Sequence, residues 1–243
     1  MLPSHFIFKI FSRGILKSQG AIILKMKEQI RVWRRADRKM GWGIDNKEFE
    51  MLEASMPPPL TDHDRRQGFI GSVLFYGFGE DGHGNSDAVL SGKLAWEYAI
   101  KRRRGKTWQC EYIDFNKPQD IRLRPGAPAR PKGFYYAKIQ PGKRFKAMTV
   151  SQLRKKLAPD TGWGPEGFQF LAITHSHFAD LMNERKIPFM ALADYDVAPH
   201  GFNDFFDAPQ LFCSNKRLGL GIGNVDRNYP LFGIPTLQLC NGP

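Results

Sequence analysis

The sequence predicts an α+β fold: a mixed sheet with at least one parallel βαβ pair, flanked by an N-terminal helical arm. Three observations lead there. Residues 168–193 read as strand, helix, strand; the apolar run FIGSVLFYGF makes a strand followed by a helical pattern; and residues 27–39 have helical spacing ended by glycines. The division that follows is a basic helical arm over residues 1–60 and a single mixed α+β domain over residues 61–243.

Taken in order, residues 27–39 form a basic helix stopped by Gly41 and Gly43, and residues 46–56 a second helix closed by Pro57, Pro58 and Pro59. Asp62, His63 and Asp64 are expected in a charged loop beside Arg65 and Arg66. Residues 69–78 make a buried strand running into a glycine-rich loop. Residues 86–100 then form a helix with an apolar stripe that includes Val89, Leu90, Leu94 and Trp96, and Gly105 stops it. Residues 108–115 and 133–139 alternate as strands, while Pro125, Pro128 and Pro131 keep the connector between them extended. A short helix at 150–157 and a turn-rich linker at 158–167 lead to the best-defined unit. There FQFLAIT (168–174) is a strand, 175–186 a crossover helix and IPFMALA (187–193) the parallel partner strand. Residues 211–212, 218–222 and 231–239 are further strands.

Composition narrows the class. Of 243 residues, 42% are hydrophobic and 19 are Phe, which is enough apolar surface to offset the entropy of folding and exclude wholesale disorder. Cys110, Cys213 and Cys240 are odd in number and far apart, so neither a disulfide framework nor a zinc knuckle is expected, and a reducing, cytoplasmic compartment fits. No apolar run approaches the roughly 18 residues a membrane span requires, so no membrane partner is expected. Residues 1–25 are rich in Phe and Ile and hold no acid. They read as an organelle-targeting peptide, as a start placed ahead of a true Met26, or as an element docked on the core; Lys9 and Arg13 exclude a secretory signal.

The net charge is +12, and residues 101–150 hold 14 Lys and Arg against 3 Asp and Glu. Cations interleaved with aromatic rings are the mixture that neutralises phosphates and stacks on unpaired bases. The leading expectation is therefore binding of DNA, RNA or another polyanion through Arg102, Arg103, Arg104, Arg122, Arg124, Lys143, Arg144 and Lys146, with Tyr135 and Tyr136 as stacking groups. A structural explanation competes for the first of these, because cations at the end of the 86–100 helix stabilise its dipole. A structural subunit of a ribonucleoprotein assembly is a further alternative on the same charge.

Two constellations bear on chemistry. Gly77, Gly79 and Gly82 satisfy GxGxxG, yet Glu80 and Asp81 would repel a phosphate there, and a surface turn is the expectation. In the 168–193 unit, His175 and His177 follow the first strand while Asp194, Asp196 and His200 follow the second. At the carboxyl edge of parallel strands these five side chains would converge as ligands for a divalent metal, Zn or Mn, with Asp180 or Asp204 as base or orienter, which describes a metal-dependent hydrolase. No complete metalloenzyme signature accompanies them.

Overall fold

The computed structural model describes residues 25–55, 57–117, 120–157, 161–174, 188–198, 204–214 and 217–240. Helix α1 (Met26–Met40) is amphipathic: Ile30, Trp33 and Ala36 are buried, and Lys27, Arg31, Arg35 and Arg38 lie exposed on the other side. Gly41 ends it in the left-handed conformation (φ 70°) and returns its N–H to Asp37 O, as a residue without a Cβ does most readily. Helix α2 (Asn46–Ala54) starts at an Asp45 cap. Residues 62–66, expected in a loop, form helix α3 (Asp62–Arg66), because Thr61 and Asp64 bond each other's backbone N–H reciprocally.

One sheet is antiparallel throughout, in the order β1-β4-β11-β5, from β1 (Gly71–Gly77), β4 (Gly133–Gln140), β11 (Thr236–Leu239) and β5 (Thr161–Gly162). The second is mixed. Its order is β10-β6-β8-β7-β3, and β9 joins β8 to β2. Its strands are β2 (Thr107–Gln109), β3 (Ile121–Leu123), β6 (Phe189–Ala191), β7 (Tyr195–Val197), β8 (Asp207–Ser214), β9 (Arg217–Asn224) and β10 (Phe232–Gly233). Its parallel pairs are β10 with β6 and β2 with β9. Helix α4 (Ala88–Arg103), capped by Asp87, and the short α5 (Val150–Arg154) complete the elements outside the central helix.

The α+β class with parallel pairs in a mixed sheet holds, but the expected βαβ unit does not. Residues 168–174 are helical: α6 (Pro165–Gln169) continues into a π-helical turn, Phe170–Thr174. An apolar run with no polar alternation suits a buried helix as well as a buried strand, and the arbiter is local. Pro165 occupies the first helical position, where its missing N–H costs nothing, and every residue from Thr161 to Ile173 is buried. The parallel partner of β6 is therefore β10; the expected crossover helix lies outside the described residues. Strand β2 is also shorter than expected, since a turn from Cys110 to Ile113 follows it.

α6 lies against α4 and β1 and explains how the edge of the first sheet is closed. Gln169 accepts from Tyr76 N–H (3.0 Å) and donates to Tyr76 O (2.7 Å), replacing the strand that β1 lacks on that side. Gln29 of α1 accepts from Leu74 N–H, and Trp33 Nε1 donates to Leu74 O. Side-chain amides thus satisfy the exposed edge that would otherwise recruit another chain. Trp33, Phe49 and Leu52 of the N-terminal helices share one apolar core with β1, β4, α4 and α6.

Candidate functional site

The expected cations fall into three settings. In the first, Arg124 belongs to a buried charge network, and Arg122, 45% exposed, stands at its edge. Arg124 Nε donates to Asp194 Oδ1 at 3.0 Å, and Arg122 lies 3.9 Å from Asp196 Oδ2 with its guanidinium 3.5 Å from the Phe205 ring centroid. Arg130, fully enclosed, donates to Glu166 Oε1 (2.6 Å), Asp194 Oδ2 (2.8 Å) and Gly162 O (3.1 Å). Tyr135 Oη donates to Glu166 Oε1 at 2.8 Å, Gly164 N–H to Oε2, and Thr161 Oγ1 to Asp194. Arg154 sits 2.9 Å from Asp196 Oδ1 and donates to the carbonyls of Ala193 and Tyr195.

Four guanidinium groups thus meet three carboxylates across β3, β4, β5, α5, α6 and β7. Burial works against the charge on Arg130, but Glu166 and Asp194 outweigh it and raise its pKa. Burial, and then Glu166, pushes the Tyr135 hydroxyl well above its ordinary value; burial does the same to Tyr195 and lowers the pKa of Arg154.

This arrangement corrects two expectations. Tyr135 and Tyr136 are 0% and 1% exposed, so neither offers a face to a base; Tyr136 instead shares a hydrogen bond with Ser55. Asp194 and Asp196, expected as metal ligands, have their carboxylates turned to arginines, whose charge repels a divalent cation. His175, His177 and His200, the remaining three of that set, lie outside the described residues. Among the described residues no group of three or more His, Cys, Asp or Glu is arranged to hold a metal.

In the second setting, Lys143, Arg144 and Lys146 flank a 3-10 turn, Lys143–Phe145, after β4. Arg144 donates to Gln67 O at 3.0 Å and lines a cleft of about 310 Å³ with Phe69, Phe145, Lys156 and Gln238. This lies near the Gly71–Ile139 end of the β1–β4 pair. Trp42, two residues past α1, touches Phe78 at the Gly77–Gly133 end, which is six residues or about 20 Å along the strand. The 143–146 cations thus lie at the opposite end of this strand pair from Trp42 and the end of α1.

The third setting gathers cations that the sequence keeps far apart. Lys101 Nζ donates to Lys39 O at 2.9 Å, joining the C-terminal ends of α1 and α4, and Lys39 and Arg102 both approach the Tyr98 ring, at 5.8 and 5.9 Å. Arg35, Arg38, Lys39, Lys101, Arg104 and Lys106 are all exposed there. Among the described residues, no carboxylate lies within 4 Å of any of these six. Part of the charge serves the fold, since two helix C-termini favour cations and Arg102 donates to Ala172 O. The rest faces solvent. Trp108, 48% exposed, lies two residues beyond Lys106 and is the exposed ring that the buried tyrosines are not.

Arg35, Arg38 and Lys39 were legible as a basic helix, but their partnership with residues 101–106 has no sequence signal, because 62 residues separate Lys39 from Lys101. The GxGxxG segment is a surface turn: Asp81 accepts from the N–H groups of His83 and Asn85, Glu80 pairs with Lys132, and Asp87 occupies the N-terminus of α4. Among the described residues, no helix is long and apolar enough to cross a membrane. No protein-family model, curated protein or solved structure matches the chain.

Proposed function

We propose that the protein binds nucleic acid or another polyanion through the cationic surface where α1 and α4 end together. The single observation that carries this reading is the Lys101 to Lys39 contact, which brings two basic segments into one exposed field. Six exposed cations on one surface, with no carboxylate partner among the described residues, attract phosphate over roughly a Debye length, about 8 Å at physiological salt. Like charges gathered in this way repel one another, and an anionic ligand that neutralises them relieves that repulsion. Arg124 is not part of this surface, because its charge is already met inside the protein by Asp194, and the exposed Arg122 lies beside Asp196 instead.

The experiment is a binding titration against duplex DNA, single-stranded RNA and heparin over a range of salt concentrations. The expected result is a linear fall of log affinity with log salt, and a slope shallower by about two on duplex when Arg35→Glu and Arg38→Glu are combined, at roughly 0.9 per lost phosphate contact. Affinity indifferent to salt, or unchanged in the double variant, overturns the reading.

A further inference from the structure

The outer face of the second sheet carries a row of aromatic rings at one register. Phe232 pairs with Phe189 across β10 and β6. Phe189 lies one position from the Met190–Leu211 pair, which sets it opposite Phe212 on β8. Phe212 pairs with Gly219 on β9, and Gly219 with Trp108 on β2. Successive ring centroids along the row are 5.3, 6.0 and 5.8 Å apart. Met190, Leu211, Leu218 and Leu220, which alternate with these positions, are buried in the main core to 1% exposure or less, so the rings lie on the sheet's other face, where Ala191 and Ala208 enter a second apolar cluster while Phe189, Phe212 and Phe232 stay partly exposed.

Gly219 is the one member of the row without a side chain, and its absence is used. A Cβ there would stand 2.4 Å from the Phe212 ring, so only glycine lets that ring lie flat over β9 toward Trp108. The row ends in exposed indole at Trp108, while Phe189, Phe212 and Phe232 are partly exposed.

Charge says what this face suits. At the Trp108 end stand Lys106 and Arg217, both exposed and joined through the Leu218 N–H to Lys106 O bond, 3.1 Å. Beyond the Phe232 end, Tyr229 packs on Phe232 at 6.0 Å, with the Arg227 guanidinium 5.5 Å from the Tyr229 ring centroid. Rings spaced across a sheet with cations at both ends match a chain that alternates flat apolar bases with phosphates. Duplex DNA hides its base faces and would use only the cations.

We propose that this face is a stacking platform for single-stranded nucleic acid, with Trp108 as its outermost ring and Lys106, Arg217 and Arg227 contacting the backbone. This deepens the polyanion reading above and rests on it.

The test uses the full chain and three probes: oligothymidylate, a duplex of equal length, and heparin, which is polyanionic but has no bases. Binding is followed by anisotropy, and base stacking by quenching of Trp108 fluorescence. Trp108→Ala is expected to weaken oligothymidylate binding by ~10-fold, abolish most of the quenching and leave heparin and duplex binding as they were; Trp108→Phe is expected to restore affinity. Because Trp108 is exposed, thermal melting should show both variants folded. Equal loss on all three probes, or no loss on oligothymidylate, overturns the platform while leaving polyanion binding in place. No binding to any probe overturns both readings.

Discussion

Arg130 has no exposed side-chain surface, and its charge is held by Glu166 and Asp194 at 2.6 and 2.8 Å. Such a pair adds little net stability against an apolar replacement of both sides, but removing one partner strands the other in the interior. Arg130→Met is therefore expected to cost ~3–5 kcal/mol in urea unfolding, because Glu166 loses its arginine in the interior and Asp194 keeps only Arg124. A loss below about 1 kcal/mol would mean that Glu166 reaches water or another cation. Asp64, also buried, is the counterpart in α3. Hydrogen bonds from Lys138 and Thr61 hold its carboxyl down to about 2 from 3.8. The unfolded chain thus binds the proton first as pH falls, so the contribution is complete above pH 3.8 and is lost on acidification toward pH 2. Asp64→Asn is expected to flatten the pH dependence of stability within that window; an unchanged slope would show that other carboxylates carry it.

At the scale of elements, the decisive piece is α6 with its π-helical continuation. It fills the place where a strand was expected, and its Gln169 performs the bonding a strand would have performed at the edge of β1. Gln169→Leu keeps the volume but strands both polar groups of Tyr76, at an expected ~1–3 kcal/mol, read as a lower midpoint in thermal or urea unfolding. Faster hydrogen exchange at Tyr76 N–H should accompany it, and protection equal to wild type there would contradict the assignment. Helices α1 and α4 were readable in advance because their signals are local: apolar spacing, and Gly41 and Gly105 just beyond their ends. α6 was not, because nine buried residues in succession have no periodicity to read, and Pro165 suits the start of a helix as readily as a break before a strand.

For the molecule as a whole, charge is the property the chain announces most clearly, at a net +12, and its use is the property it conceals. Of the cations expected at a binding surface, Arg124 turns inward to Asp194, while the cationic surface where α1 and α4 end draws Arg35, Arg38 and Lys39 from an element assigned to an arm. The steep salt dependence predicted above belongs to this scale, since it reports the summed field and not one contact. By itself the sequence determined the α+β class, the helical pattern of α1 and α4 and the basic excess, because those depend on composition and on residues a few positions apart. Only the tertiary structure decided which charges are neutralised, which rings reach the surface and which strands lie parallel. Arg130 and Asp194 are 64 residues apart and Trp108 and Phe212 more than a hundred, and pairings at that separation are set by how the layers pack, through which no local pattern carries information.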